Sequence, residues 1–224
     1  MKKFVCLVLA AMLVLCSFAM AEKVFVTVST GEGRLAMTNL AVEASDLDSD
    51  GVVSINDALI AAHDMAYEGG SEAGYASEET PYGISMTRLW GEENGGSYGY
   101  YLNDASPMSL LDAVSDGDSI HAYAFQDLAG WSDTYCYFQV KEAEMGAGDS
   151  VILTLTALLF DADWNIVPTP VEGAVITIDG SDTEFITNAE GCAAVSIADE
   201  GSYTISARHD SMTLVPPVCV VEVK

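Results

Sequence analysis

The stretch Lys-Val-Phe-Val-Thr-Val-Ser-Thr at residues 23–30 decides the fold of the first half of the chain. Val24, Val26 and Val28 occupy alternate positions, so an extended chain places all three on one face. This alternation predicts a β-strand with one buried face. A glycine-rich tetrapeptide follows and predicts a turn, and Leu40–Ala44 alternates again. The two strands are therefore expected to pair as a hairpin.

A helix is expected after the hairpin. Apolar residues recur at three- and four-residue spacing between Ile55 and Ala66, which is typical of an amphipathic helix. Further strand-like runs follow at Ile120–Phe125 and Tyr135–Val140. The order strand, strand, helix, strand predicts that residues 22–140 form an α+β unit, in which one helix crosses a sheet.

The composition changes near Lys141. Residues 141–148 are small and acidic, which predicts a linker. Residues 149–224 hold short strand-like runs separated by turn dipeptides such as Asp179-Gly180, and this pattern predicts an antiparallel β-sandwich. The prolines of this part, Pro168, Pro170, Pro216 and Pro217, are expected between strands. The whole chain is thus expected to be mostly β.

Residues 1–21 have the pattern of a secretory signal peptide. Lys2 and Lys3 precede an apolar run at Phe4–Leu15, and Ala19-Met20-Ala21 fits a cleavage site. The alternative is a membrane anchor, but the run is short for a span of about 20 residues. We expect a secreted, extracellular protein that begins at Glu22 and has no membrane span in its mature chain.

The charge of the chain restricts its partners. Lys and Arg number 8 against 34 Asp and Glu, so the formal net charge is −26, and loss of Lys2 and Lys3 takes it to −28. Nucleic acids and anionic lipid surfaces need basic residues for binding, so neither is expected as a partner. A negative field of this size favours cations.

Three cysteines remain after removal of the leader: Cys136, Cys192 and Cys219. An odd number permits at most one internal disulfide. Cys192 and Cys219 lie in the same predicted unit and are the candidate pair. Strand alternation argues against the bond, because it places these two side chains on faces of opposite character. The alternatives of one bridge and three free thiols stay open.

Residues 46–57 carry the strongest chemical motif. Their sequence, Asp-Leu-Asp-Ser-Asp-Gly-Val-Val-Ser-Ile-Asn-Asp, fits the D-x-D-x-D-G loop of calcium sites. In such loops, oxygens at positions 1, 3 and 5 converge on the ion and the glycine at position 6 permits the turn. Position 7 offers a backbone carbonyl, position 9 acts through water and position 12 adds a carboxylate. The predicted Ca²⁺ ligands are therefore Asp46, Asp48, Asp50, Val52, Ser54 and Asp57.

Two features of this loop depart from the common pattern. Position 12 is Asp57, whose side chain is shorter than the usual Glu, and the segment before the loop is a predicted strand. Strand–loop–helix is therefore expected in place of helix–loop–helix. The alternative interpretation is an acidic surface turn or helix cap without an ion.

Parts of the sequence resemble known families. The loop and the following Asp57-Ala58-Leu59 resemble dockerin-like and EF-hand calcium loops. The wider segment 23–140, with Gly-Tyr-Tyr-Leu-Asn-Asp at 99–104 and Asp-Gly-Asp-Ser-Ile at 116–120, resembles the DUF4430 family, which is similar to the C-terminal domain of transcobalamin. This resemblance implies a β-grasp-like extracellular module, and corrinoid binding follows from it by analogy only. Gly173-Ala174-Val175 and residues 187–191 and 201–207 resemble bacterial Ig-like or carboxypeptidase-regulatory-like β-sandwich repeats. This resemblance implies a structural or adhesive spacer.

The sequence offers no recognisable catalytic set. His63, His121 and His209 are far apart, and no nucleophile with a base and an orienting group can be named. Cys136 with His121 comes nearest to a dyad, and two unrelated residues are the simpler interpretation. We therefore do not expect an enzyme.

The expected function is that of a secreted, non-catalytic calcium-binding module for cell-surface adhesion or ligand capture. The alternative is an extracellular protein that binds a glycan or a corrinoid-like small molecule, with calcium in a structural role. The expected partners are accordingly the calcium ion and an extracellular protein, glycan or small-molecule ligand.

Overall fold

The computed structural model describes residues 21–81 and 83–224, so the predicted signal peptide, apart from Ala21, lies outside the described residues. The described chain is mostly β, as predicted, with fifteen strands and two helices. None of the helices in the described part is long and apolar enough to cross a membrane.

The first unit is a mixed sheet covered by a helix. Strands β1 and β2 form the predicted hairpin, and strands β5 and β6 complete a sheet of order β2-β1-β6-β5 in which β1 and β6 are parallel. A short hairpin of β3 and β4 stands apart from this sheet. The elements are β1 (Glu22–Ser29), β2 (Leu35–Ala44), α1 (Ile55–Ala66), α2 (Gly70–Gly74), β3 (Ala76–Thr80), β4 (Gly83–Arg88), β5 (Tyr98–Leu102) and β6 (Ser119–Ala124).

The core of this unit lies between the sheet and α1. The three alternating valines of β1 are fully buried, and Leu59 and Ala62 of the helix belong to the same apolar cluster. The predicted α+β arrangement, with a β-grasp-like sheet, is therefore confirmed. The structure adds the single-turn helix α2 and the acidic strand β3. Neither carries an alternation of apolar residues that would predict it.

The second unit is a two-sheet β-sandwich, as predicted. One sheet has the order β12-β11-β14-β15-β8, and the other has the order β10-β9-β13 with β7 also paired to β9. Phe138, Leu155 and Ile205 are fully buried in the cluster between them. The strands are β7 (Cys136–Phe138), β8 (Glu142–Met145), β9 (Ser150–Phe160), β10 (Ile166–Pro170), β11 (Val175–Ile178), β12 (Ser181–Ile186), β13 (Cys192–Ser196), β14 (Gly201–Arg208) and β15 (Cys219–Val223).

The segment 141–148, predicted as a linker, contains strand β8. This strand runs parallel to β15, and its Ala143 and Met145 pack on the sandwich core while Glu142 and Glu144 are exposed. Alternation of glutamate with small or flexible apolar residues makes the sequence of this strand resemble an acidic linker. Hydrogen bonding thus assigns the segment to the sandwich, and β7, which precedes it, also pairs there. The division of the chain into two units stays a prediction.

Pro168 and Pro170 lie inside β10 and not between strands as expected. β10 is an edge strand that pairs only with β9 in the described chain. The N–H of Val171 donates to Leu155 O, so by alternation residues 168 and 170 have their nitrogens on the open side. A proline there removes no ladder hydrogen bond.

The three cysteines of the described chain are free thiols. Cys219 is buried in β15, whereas Cys192 is partly exposed on β13 of the other sheet. Of the two alternatives left open by the sequence, the structure has three free thiols. The alternation of side chains along the two strands is the physical reason.

The two units meet at a cluster of tyrosines. The rings of Tyr101 and Tyr135 stack with centroids 3.6 Å apart, and Tyr123 is buried beside them. Asp104 of the first unit accepts hydrogen bonds from the Tyr135 hydroxyl at 2.8 Å and from Lys141 Nζ at 2.7 Å. These contacts join a loop of the first sheet to the start of the sandwich.

Candidate metal centre

Three of the predicted ligands converge in the loop between β2 and α1. The carboxylate oxygens of Asp46, Asp48 and Asp50 lie within 4.8 Å of one another on the surface of the first unit. No Lys, Arg or His side chain forms an ion pair with any of the three among the described residues. The loop therefore gathers negative charge that the protein itself does not neutralise.

Backbone N–H groups hold these carboxylates in place. Asp46 Oδ2 accepts from Gly51 N at 2.8 Å, and Asp46 Oδ1 accepts from Ser49 N at 2.7 Å. Asp48 Oδ1 accepts from Asp50 N at 3.1 Å. Gly51 has φ +95°, a conformation that favours glycine, so the residue at position 6 has the role predicted for it.

Val52 lies next to the cluster. Its N–H donates to Asp50 Oδ1 at 2.8 Å. Its carbonyl oxygen accepts no hydrogen bond from the described part of the chain. The carbonyl that the sequence assigns to position 7 is therefore available to an ion.

Asp57 is not among the carboxylates that converge within 4.8 Å, and it pairs with Ser54 at the start of the helix. Ser54 is the N-cap of α1, and its Oγ accepts from Asp57 N at 3.2 Å. Asp57 Oδ2 accepts in return from Ser54 N at 2.9 Å and from the Ser54 hydroxyl at 2.7 Å. The Asp57 side chain is buried, and its Oδ1 accepts from Leu47 N at 3.3 Å. Ser54 and Asp57 thus form a reciprocal capping box at positions 9 and 12 of the loop.

The pKa values of Asp48 and Asp46 reflect their surroundings in the carboxylate cluster. A hydrogen bond from Asp50 N acts to lower the pKa of Asp48, but partial desolvation and the charges of Asp50 and Asp57 raise it above its ordinary value. For Asp46, desolvation acts to raise the pKa, but hydrogen bonds from the backbone of Gly51 and Ser49 lower it overall. The repulsion between carboxylates therefore raises the pKa of Asp48 and not that of Asp46.

His63 is a packing residue. It is fully buried, its Nδ1 donates to Leu59 O at 2.7 Å, and its Nε2 accepts from Trp90 N at 3.2 Å. Both ring nitrogens are therefore used by a neutral imidazole, and burial lowers its pKa. The ring ties α1 to the turn that follows β4.

His121 and Cys136 do not form a nucleophile–base pair. His121 Nε2 lies 3.4 Å from Ser29 Oγ, and burial, with the charge of Lys141, lowers the histidine pKa to about 3. The Cys136 thiol donates to Val215 O at 3.3 Å, and burial raises its pKa well above the ordinary value. A thiol whose pKa is raised by burial stays protonated at neutral pH and is a poor nucleophile.

A cleft between the two units was not predicted from the sequence. Its volume is about 710 Å³, and it lies between the turn that joins β1 to β2 and the outer face of β11 and β14. The residues that line it extend from Gly33 to Pro216 in the chain. No local motif links them, so no sequence signal was available to find the cleft.

Comparisons with known proteins leave the family open. No family model matches the chain, and no curated protein matches it. Among solved structures, the N-terminal Ig1-2 module of the Drosophila receptor protein tyrosine phosphatase DLAR is 18% identical, with 70% of this chain and 81% of that chain covered and a TM-score of 0.30. The D0-D1 domain of intimin is 10% identical, with 88% and 94% covered and a TM-score of 0.28.

A third similar structure is the ectodomain of the teleost fish polymeric Ig receptor. It is 13% identical, with 67% of this chain and 72% of that chain covered and a TM-score of 0.21. Likenesses at these scores carry no argument about function. The resemblance to DUF4430 and to dockerin or EF-hand loops gains no support from the family models.

Proposed function

We propose that the protein is a secreted, non-catalytic binding module whose first unit is stabilised by Ca²⁺ at the loop 46–57, and that it acts in adhesion or ligand capture at the cell surface. The observation that carries the calcium part is the convergence of three aspartate carboxylates within 4.8 Å. The secretory pattern of residues 1–21 and the acidic composition support the extracellular part.

The donor set suits calcium better than other biological cations. It consists of the carboxylates of Asp46, Asp48 and Asp50 and the carbonyl of Val52, all of them oxygen donors. Zn²⁺ prefers nitrogen and sulfur donors, which this loop lacks. Mg²⁺ needs a tight octahedron and retains most of its water. Water molecules complete the six to eight ligands of Ca²⁺ at such an exposed loop.

Ion binding in this loop couples to the stability of the first unit. The loop joins the end of β2 to the start of α1, and Ile55 N donates to Asp112 O at 3.1 Å, which fixes the helix start to a distant loop. A cation removes the repulsion among the carboxylates only in the folded chain, where they converge. At a free calcium concentration of about 100 times Kd, the stabilisation is about 2.7 kcal/mol.

The test is a series of thermal melts of the secreted chain with calcium, with magnesium and with EGTA. Tm of the wild type should rise with calcium and only slightly with magnesium. Asp48→Asn keeps the shape of the side chain but removes its charge, and it should abolish most of the calcium-dependent rise.

The matched control is Asp161→Asn. Asp161 also accepts hydrogen bonds from backbone N–H groups in an exposed acidic turn, here those of Asp163 and Asn165. It belongs to no carboxylate cluster in the described chain. This variant should retain the full calcium-dependent rise. A wild-type Tm that is equal in calcium and EGTA, with no heat in titration calorimetry, would show that the loop is only an acidic turn.

A further inference from the structure

The cleft between the two units has the size of a small-ligand site. Its volume of about 710 Å³ falls within the range of about 300–1,000 Å³ that is usual for such sites. Gly33 and Leu35 of the first unit and Leu214 and Pro216 of the second are among the residues that line it. Gln126 Nε2 donates to Leu214 O at 2.9 Å, and this bond fixes the two units to each other beside the cleft.

The floor of the cleft is a row of hydroxyl groups. Thr177 of β11 pairs with Ser206 of β14, and Thr204 lies two residues before Ser206 on the same face. The intervening residue, Ile205, faces the sandwich core on the opposite side. The outer face of these two strands therefore presents hydroxyls to the cleft.

Two of these residues are buried, yet their hydroxyls lack a protein partner. Thr177 is 8% exposed and Ser206 is 7% exposed, and neither hydroxyl makes a hydrogen bond within the described residues. No fully buried polar side-chain atom of the described chain is left without a partner, so these two hydroxyls open onto the cleft. Hydroxyls that are free to pair and that line a cavity favour a ligand with hydroxyl groups of its own.

The hydroxyls of Thr177 and Ser206 can be compared with buried threonine hydroxyls outside the cleft. Those of Thr30 and Thr187 accept hydrogen bonds from backbone N–H groups. Thr156 is a further buried threonine whose hydroxyl has no partner in the described chain, and it lies outside the cleft. Thr156 therefore offers the same chemical group in a place where no ligand is expected.

The charged residues that line the cleft are two arginines, Arg34 and Arg208, and two aspartates, Asp179 and Asp182. Arg208 donates to Asp182 at 2.6 and 2.8 Å and to Asp210 at 2.6 Å, so its guanidinium is neutralised by carboxylates. Asp179 contributes one more carboxylate, whose Oδ1 accepts from Thr204 N at 2.9 Å. Arg34 is paired with Glu32, so both arginines of the lining already have carboxylate partners. A charged ligand of either sign would compete with these ion pairs. A neutral ligand that both donates and accepts hydrogen bonds fits this lining.

The remaining lining is apolar. Leu35, Met212 and Leu214 add C–H surface beside the polar floor. A sugar ring combines hydroxyl groups at its edge with an apolar C–H face, and both kinds of surface are present here. We infer that the cleft binds a neutral saccharide, with its hydroxyls hydrogen-bonded to Thr177, Ser206 and the carboxylates of Asp179 and Asp182.

This inference rests on the ligand-capture part of the proposed function and not on its calcium part. The cleft includes Leu35 at the start of β2, whereas the carboxylate loop follows Ala44 at the end of the same strand. A ten-residue strand is about 30 Å long, so the two sites lie at opposite ends of the hairpin. Occupation of one site therefore does not require the other.

The experiment is a screen of the secreted chain on an array of neutral and acidic oligosaccharides, followed by titration calorimetry with the saccharides that bind. We expect neutral saccharides to bind, with equal affinity in calcium and in EGTA. Thr177→Val and Ser206→Ala each remove one hydroxyl from the floor and should weaken binding about threefold to tenfold. Thr156→Val, the same loss at a buried threonine outside the cleft, should leave affinity unchanged.

Three results would overturn the inference. The first is no binding of any neutral saccharide at millimolar concentration, or binding of acidic saccharides alone. The second is equal affinity for wild type, Thr177→Val and Ser206→Ala. The third is binding that disappears in EGTA, which would place the ligand at the loop 46–57. A missing calcium shift together with saccharide binding would refute the calcium proposal and support the cleft.

Discussion

His121 is a buried imidazole whose ordinary protonation is suppressed by its surroundings. Burial and the charge of Lys141 lower its pKa to about 3, whereas the unfolded chain binds a proton near pH 6.5. Between these values the unfolded state holds more protons than the folded state. The stability contributed by the neutral ring is thus present above about pH 6.5 and is lost as the pH falls below it.

The free energy of unfolding should therefore fall by about 2 kcal/mol between pH 7 and pH 5 because of His121 alone. Urea denaturation at the two pH values, on wild type and His121→Asn, measures this difference. The variant is expected to be less stable at pH 7 and to lose about 2 kcal/mol less than the wild type on acidification. His209→Asn, at a partly exposed position, serves as the control with a wild-type response. An identical loss in wild type and His121→Asn would contradict the assignment.

At the scale of the element, the sequence alone does not distinguish two roles for the start of α1, ion binding and helix capping. The motif assigns Ser54 and Asp57 to an ion, whereas the structure has them capping the helix through three mutual hydrogen bonds. Asp57 stands at the third position of the helix, from which its carboxylate accepts the backbone N–H of Ser54. The acidic loop and the helix are therefore joined by a cap and not by a shared ligand.

Asp57→Ala should separate these roles. The variant loses the two hydrogen bonds from Ser54 to the Asp57 carboxylate but keeps the bond from the backbone N–H of residue 57 to Ser54 Oγ. Loss of this half of the capping box should lower stability by about 1 kcal/mol both in calcium and in EGTA. The calcium-dependent rise in Tm should remain, since Asp46, Asp48 and Asp50 are unchanged. Thermal melts under the two conditions give both quantities. If Asp57→Ala instead abolished the calcium-dependent rise, Asp57 would be an ion ligand and the cap a secondary feature.

The elements differ in how far the sequence predicts them. Val24, Val26 and Val28 identify β1 because large apolar residues at every second position are typical of a half-buried strand. β8 was missed because its inward residues, Ala143 and Met145, give a weak apolar signal. The carboxylate cluster follows from local spacing, but the inward turn of Asp57 depends on packing of its helix. The cleft depends on residues far apart in the chain, so its lining is a property of the tertiary fold alone.

At the scale of the whole molecule, the tyrosine cluster holds the two units together. Tyr101 and Tyr135 stack across the junction, and Lys141 and Tyr135 both donate to Asp104. The chain crosses this junction in the exposed segment 127–132, where Trp131 is 65% exposed. We propose that the boundary between two units lies in this segment, before β7.

Limited digestion with proteinase K should therefore cut the connection between the units within residues 127–132. The segment 141–148 should resist, because β8 is hydrogen-bonded to β15 along its length. Mass spectrometry of the fragments locates the cut, and gel filtration tests whether the fragments stay associated through the tyrosine cluster. A first cut within 141–148 would instead favour the boundary that composition indicates.

The two prolines of β10 also affect whether copies of this protein aggregate. The free side of an edge strand is a template on which a second chain can add its own strand, and such additions propagate into fibrils. With Pro168 and Pro170 placed so that their nitrogens face that side, the donors needed for such growth are missing at alternate positions. Many copies of the sandwich can therefore lie close together without adding strands to one another along this edge.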